Sequence, residues 1–570
     1  MTVMPLVRRV LGDGPFAETG RPSLAVVDGR SRRIAVAGDV GRLQWSGSGT
    51  AESRWTGDRI GVYDRDTLRC EHLVRSRYPA HSAAFHPTLP LLAVGTGSYD
   101  GGYAFEGELL LLRLDSGTVV SALRYEREVL GVEWCGPTRL RLVLAPCDDW
   151  ENDDAHEQGH EVVVSRDDWG AVGPRAIEPE ELAAPVRPAA RPDHRAEARG
   201  LLADLAAVAG RPWSTRRRVW AVEGLEDGRV LAALDGVLAE SWLPSGEREW
   251  VVEDDEGGRQ LVPASDGASV WTNGDRRMRR GDGGAWQCPA PRIARVALDT
   301  GQVLETLSLA ESAVLVAGGG RVLLRPSDHT RRRGERLTMF GLTDRVEAAP
   351  ESDGSGASRR PSPQSDGSEA GKDPCPESAG VEPSADSFPE VGGFDLFNHP
   401  FPVSRASRPY VLVGTKPDAP HRDKWIVALA SDGTVRRLFP LSWAPQEHHF
   451  GGPAAEFGQG LVYAGAVHDG AGLQPDGAYV VRRSLDGTVR WQHRADHPAT
   501  ALDVDEDTVY VAYNSGALTA LDADDGTVRW HTELAVDGTP TTALSLAVTP
   551  HGSLLIGTVD GRILECAVRE

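Results

Sequence analysis

The sequence predicts an all-β chain folded as a β-propeller of four-stranded blades. Seven or eight blades are expected in one ring, from up to ten candidate repeats, with a larger ring or two small ones as alternatives, and with one helical insertion and one disordered loop. Three observations carry this. Near-copies of one hairpin recur, as in "AYVVRRSLDGTVRWQHR" (478–494) and "ALTALDADDGTVRWHTEL" (517–534). Each hairpin follows two further short apolar runs, so that four strands recur at a spacing of roughly 40 to 55 residues, the period of a propeller blade. Several strands, such as "VYVAY" and "LLIG", are apolar at successive positions, which suits a blade sandwiched between two others better than a sheet with one wet face.

Taken along the chain, the hairpin pattern recurs at 59–74, 108–123, 236–252, 292–307 and 425–439, with weaker versions at 160–169 and 336–344. In the two best copies Asp486-Gly487 and Asp525-Gly526 supply the positive φ that a tight turn between antiparallel strands needs, and Trp491 and Trp530 occupy equivalent places in the following strand. The final unit provides only three good strands (543–548, 553–557 and 562–568). Its open edge predicts that the N-terminal run around 3–10 fills the blade, with Pro5 tolerable on an edge strand.

Two segments break the pattern. Within 176–210, Ala198, Leu201, Leu202, Leu205 and Val208 recur at helical spacing, and Gly210 with Pro212 ends the run. The segment 345–393 is dominated by Ser, Pro, Gly and Glu and has too little apolar surface to offset chain entropy, so a disordered loop is expected. The expected organisation is therefore 1–344 as the N-terminal part of the propeller, with the insertion 176–210, then the loop 345–393, then 394–570 as the C-terminal part.

The "ALDADDGTVRW" unit resembles the tryptophan-bearing repeat of pyrroloquinoline-quinone-type propellers, clearest over the last 150 or so residues. The stretch "HSAAFHPTLPLLAVGTGSYDG" (81–101) resembles the opening strands of a WD40 blade. The quinoprotein resemblance implies export, a bound quinone, a Ca²⁺ site and commonly an adjacent cysteine pair. The six cysteines are scattered with no C-x-x-C, and the arginine pair near the N-terminus is followed by no signal-type apolar stretch. Trp491 and Trp530 are accordingly read as structural residues packing between blades, and no cofactor is expected.

A formal net charge of −22 argues against nucleic-acid and anionic-membrane partners, since phosphate neutralisation requires clustered cations. Three lysines (Lys372, Lys416 and Lys424) stand against 58 arginines. This coding bias points to a bacterial source, and the thiols and absent signal to the cytoplasm.

The densest polar stretch is "CDDWENDDAHEQGHE" (147–161). Asp148, Asp149, Asp153, Asp154, His156 and His160 are the candidates there for a divalent cation, weighed against a solvated acidic loop. Histidines also accumulate late in the chain, at spacings that suit turns of separate blades. No nucleophile elbow, Walker loop or dinucleotide fingerprint is present. The expected function is a non-catalytic scaffold that binds a protein partner, with a quinoprotein-like enzyme or a glycan-handling propeller as alternatives.

Overall fold

The computed structural model describes residues 6–41, 57–150, 152–211, 213–274, 292–308, 313–319, 401–414, 424–430, 434–441, 448–469 and 472–567, with short strands between 279 and 391. The described strands form ten principal sheets. They fall into two groups that the repeat pattern alone does not separate.

Seven sheets close a ring. They begin at Val219–Gly224, Gly258–Pro263, Ala313–Gly318, Tyr410–Gly414, His448–Phe457, Ala499–Val504 and Ala543–Val548, each antiparallel to the strand that follows. Every interface around the circle has its own apolar cluster. Leu231 and Leu238 meet Val270 and Val296 between the first and second sheets, and Tyr510 and Leu518 meet Leu554 and Ile556 between the sixth and seventh. The circle closes where Val219, Val222 and Ala232 of the first sheet pack on Ala547, Leu555 and Ile563 of the seventh. Strands such as Thr508–Tyr513 and Ser553–Thr558 are buried at every position, as burial between two neighbouring sheets requires.

The seventh sheet takes its outer strand from the other end of the chain. Leu6–Leu11 pairs antiparallel with Ile563–Ala567, matching Leu6 to Ala567 and Leu11 to Ile563. Arg9 pairs with Glu565 at 2.6 Å, and its Nη1 donates to the Leu243 carbonyl, 3.0 Å away in the first ring sheet.

Between this strand and the first ring sheet, the described residues of 12–218 form a second module. Three four-stranded sheets, beginning at Arg21–Val27, Ala80–Phe85 and Val129–Gly136, stack side by side. Leu92 and Val94 join the first two, and Leu109 and Leu111 meet Leu140 and Leu142 between the second and third. Three sheets cannot close a circle, so each end face needs a cover. The helix Arg195–Val208 covers the first, with Leu202 and Ala206 packed on Ile34, Val36 and Tyr63. Val208, expected on the packed face, is 89% exposed. The third sheet caps itself with charge: Arg141 is ion-paired to Glu133 and lies 3.7 Å from Glu161 across its outer face.

This corrects the expected organisation. The N-terminal part is not a continuous arc of one ring; the ten candidate repeats divide into a seven-sheet ring and a three-sheet array inserted between its first and second strands in sequence. The segment 345–389 lies outside the described residues; on either side of it, Leu337–Thr338 pairs with Glu390–Val391. No helix among the described residues is long and apolar enough to cross a membrane.

The turn glycines do more than permit positive φ. Trp491 in the outer strand of the fifth ring sheet donates its indole N–H to the Ala523 carbonyl at 2.8 Å and lies under Gly526 of the sixth, where an added Cβ would come within 2.7 Å of the ring. Trp250 repeats the arrangement with the Leu298 carbonyl at 3.1 Å and Gly301. Gly487 is met in the same way by Phe439. Asp486 and Asp525 accept the backbone N–H of Thr488 and Thr527, both at 2.9 Å, and fix the turn. Trp530 is buried against the seventh sheet. Gly526→Ala, which meets both a φ of 75° and the indole, is expected to cost about 2–3 kcal/mol, measured by chemical denaturation.

Candidate interaction face and buried polar cluster

The acidic stretch 147–161 sits at one edge of the three-sheet array. Its placement follows from local hydrogen bonding. Asp100 accepts the backbone N–H groups of Gly102, Tyr103 and Ala104, which holds its carboxyl below the usual range and sets the turn between two strands of the second sheet. The neighbouring loop of the third sheet zips onto this turn: Phe105 N–H donates to the Cys147 carbonyl at 3.1 Å, and Asp149 N–H to the Tyr103 carbonyl at 3.0 Å.

These bonds bring the rings of Tyr103 and Trp150 together, with centroids 4.4 Å apart. Both are exposed, at 56% and 67%, as is Tyr125 at 66% in the loop entering the third sheet. These are the three exposed aromatic side chains among the described residues with the largest exposure, and all three lie on loops of the array. Carboxylates lie on the same loops and on the strands beside them. Asp149 accepts the Tyr99 hydroxyl at 2.8 Å, Glu126 accepts the Tyr78 hydroxyl at 2.7 Å, and Asp154 is exposed. Beneath them Glu128 is buried and bonded to His81 at 3.0 Å and Arg191 at 2.8 Å. Burial opposes its ionisation, but those two partners outweigh it and hold the carboxyl low.

The predicted cation ligands do not converge. His156 lies edge-on against Tyr99 and Phe105 and comes within 3.6 Å of Asp149. His160 lies in the strand Gln158–Ser165 and donates through Nδ1 to the Ala184 carbonyl at 2.6 Å. Asp148 accepts the Trp150 N–H at 3.3 Å; Asp153 and Asp154 open a short 3₁₀ turn capped by Asn152. Among the described residues no three potential ligands group as a metal site would need. The late histidines are likewise dispersed: His449 bonds Tyr479, His531 bonds Thr519, and His551 bonds the Glu226 carbonyl.

A second polar cluster escaped the sequence pattern. The segment Val403–Ser404 adds in parallel to the inner edge of the strand His448–Phe457, the one parallel pairing among the described strands of the ring. This carries Ser404 and Arg405 to Asp503 on the sixth sheet, at 2.7 and 3.3 Å. Asp503 also accepts the Val548 N–H at 2.8 Å, and Arg405 donates to the Val548 carbonyl at 3.0 Å, so one carboxylate ties three pieces of chain together. Glu223 of the first ring sheet faces this group. Desolvation first, and the Asp503 charge second, push its carboxyl up to about 7, against a weaker opposing pull from Arg405. Because the folded state holds this proton more tightly than the unfolded chain does, the contribution of Glu223 to stability is present below the ordinary carboxylate range and is lost as pH rises through about 7. Glu223→Gln is expected to remove that loss, so that thermal unfolding at pH 8 relative to pH 5 improves over the parent chain.

Lys424 is also buried. It donates to the His449 carbonyl at 2.6 Å, and desolvation lowers its ammonium to about 7. Nothing in the spacing of lysines or carboxylates marked these residues, because their neighbours come from other sheets.

Residues 423–569 match the family model described as outer membrane protein assembly factor BamB. Among solved structures the chain is similar to BamB from Moraxella catarrhalis, at 15% identity and a TM-score of 0.35, over 62% of this chain and 97% of that one. It is also similar to the WD40 β-propeller domain of Doa1 (10% identity, TM-score 0.37, 62% and 94%) and to streptogramin B lyase (11%, 0.36, 62% and 94%). No curated protein matches.

Proposed function

We propose that this β-propeller, with its pyrroloquinoline-quinone-like and WD40-like repeats, is a non-catalytic scaffold that docks a basic protein segment on the acidic, aromatic face of its three-sheet array. One observation carries the reading. Tyr103 and Trp150 are in ring contact, exposed and fixed by backbone bonds between two loops that also carry Asp100, Asp148 and Asp149. Rigid exposed aromatics are the residues that anchor interfaces, and arginine or lysine side chains are drawn both to their ring faces and to the charge of those carboxylates. The description of the matched family as an assembly factor supports work done through partners. The reading places the protein in the bacterial cytoplasm, where the described cysteines, Cys70, Cys135, Cys147 and Cys566, remain thiols.

The test is binding of a Lys/Arg-rich peptide and of an acidic peptide of equal length to the immobilised full chain. The basic peptide is expected to bind, and its association to slow as salt rises. Asn at Asp148, Asp149, Asp153 and Asp154 should slow association while leaving the melting curve in place. Trp150→Ala should weaken affinity by about tenfold or more. Binding that ignores salt and both variants would overturn the reading. So would a visible chromophore or one metal ion per chain lost in the Asn variant.

A second reading, a ligand-binding or enzymatic propeller, is favoured by one feature, the raised carboxyl of Glu223 beside Asp503 and Arg405. It would be preferred if Glu223→Gln abolished binding of a small molecule while peptide binding persisted.

A further inference from the structure

The segment 402–408, which leads into the fourth ring sheet, is bonded to four other sheets of the ring. On the fifth, Ala454 N–H donates to the Pro402 carbonyl at 2.9 Å, and Glu456 accepts the Ser407 N–H at 2.5 Å and the Ser407 hydroxyl at 2.8 Å. On the third, Gly319 N–H donates to the Ala406 carbonyl at 3.3 Å, and the backbones lie so close that a Cβ on Gly318 would come within 2.0 Å of Arg408. Ser404 and Arg405 reach Asp503 of the sixth sheet, and Arg405 also reaches the Val548 carbonyl of the seventh. The third and seventh sheets are not neighbours in the circle, and two others stand between them by the shorter way round. A short run of chain bonded to both has to cross the middle of the ring.

The ends of this crossing are held differently from its centre. Phe401 and Tyr410 are buried in one apolar cluster with Leu412, Leu461 and Tyr463. No residue from Ser404 to Arg408 is buried, so the span between those anchors is held mainly by hydrogen bonds. Asp503 is their hub on the far side. It is 4% exposed and accepts Ser404 Oγ at 2.7 Å, Arg405 Nε at 3.3 Å and the Val548 N–H at 2.8 Å. Arg405 holds a φ of 55°, in the left-handed region that residues with a Cβ disfavour, so the bonds of its side chain offset backbone strain at the crossing. A polar, strained span between two apolar anchors can leave its place without unpacking either anchor.

We propose that residues 404–408 form a latched strap across the centre of the ring, closed by the contact of Arg405 and Ser404 with Asp503 and released as one unit, so that access to the centre from this end depends on one carboxylate. The inference stands apart from the docking face, since no residue is shared.

The experiment is hydrogen–deuterium exchange on the full chain and on Arg405→Ala and Asp503→Ala. The reporting amides are those of Gly319 and Ser407, which tie the strap to the third and fifth sheets and are bonded neither to Asp503 nor to the Arg405 side chain. Both substitutions should speed exchange at both amides by about tenfold or more, the loss expected of charge-assisted hydrogen bonds, while Val427 and Val511, inside the fourth and sixth sheets, exchange as in the parent. A thiol introduced by Glu223→Cys, on the first sheet beside this latch, should be labelled by a maleimide at least about tenfold faster when Arg405→Ala is added, read by mass spectrometry on the peptide that carries it. Faster exchange confined to Val548, whose N–H loses Asp503, would overturn the proposal. So would faster exchange throughout the sixth sheet, or a thiol labelled at the same rate in both chains. Should Asp503→Ala fail to fold, Arg405→Ala, whose side chain is 44% exposed, still decides it.

Discussion

A chain lacking residues 1–11 should melt several degrees below the full-length protein and should associate through its seventh ring sheet. The strand Leu6–Leu11 supplies that sheet's outer edge, and Leu11 is buried in the cluster that closes the ring. Losing the Leu11 side chain alone forfeits about 1.5–3 kcal/mol of apolar burial. Removing the strand also strips the Arg9 bonds to Glu565 and to the Leu243 carbonyl, which fasten the seventh sheet to the first. The exposed edge of Ile563–Ala567 then presents unpaired backbone groups to other molecules. Differential scanning calorimetry and light scattering read both effects. An unchanged melting curve, with the truncated chain still monodisperse, would show that the seventh sheet holds without its borrowed strand.

Arg216→Ala should be the most damaging single substitution, at about 3–5 kcal/mol, because it leaves a buried carboxylate with only the more distant Arg248, at 3.7 Å, as counter-charge. Glu240 is fully buried, and Arg216 grips it with two bonds, at 2.6 and 2.9 Å, while also donating to the Gly561 carbonyl at 3.1 Å. The next two residues continue the clamp. Arg217 reaches both Asp39 of the array, at 3.3 Å, and Asp235 of the ring, at 3.1 Å, and Arg218 also binds Asp235. The triplet Arg216, Arg217 and Arg218 is therefore the seam between the modules. Urea denaturation of Arg216→Ala, and of the double variant Arg216→Met with Glu240→Met, separates charge from packing. The double variant should recover much of the loss, since an apolar pair of similar volume avoids the stranded charge. A double variant as unstable as Arg216→Ala would assign the effect to packing against Trp242, on whose ring the guanidinium lies.

Local sequence was sufficient for everything that depends on neighbours along the chain. Asp-Gly turns, alternating β-branched residues and fully apolar strands such as Thr508–Tyr513 specify hairpins and their burial, and hairpins repeated at a fixed period specify a propeller. The acidic composition of 147–161 was equally legible, but its chemistry was not. Whether Asp148, Asp149, His156 and His160 meet depends on how two loops of different sheets zip together, and that zipper turns His160 to a carbonyl and His156 to two aromatic rings.

Tertiary structure alone decided three things. The number of sheets in the ring follows from which apolar faces meet, and Val219 and Val222 choose Ala547 and Leu555 over any face of the array. Glu223, Arg405 and Asp503 come from three different parts of the chain, the nearest two 98 residues apart, so no spacing rule could assemble them. No motif in the sequence marks the arginine triplet, and it is folding that buries Arg216 against Glu240. The physical reason is common to all three. Repetition fixes the geometry of each sheet, but every sheet offers its neighbours nearly the same apolar face, so the choice of neighbour rests on the few side chains at each interface, and those are set by contacts between residues far apart in the chain.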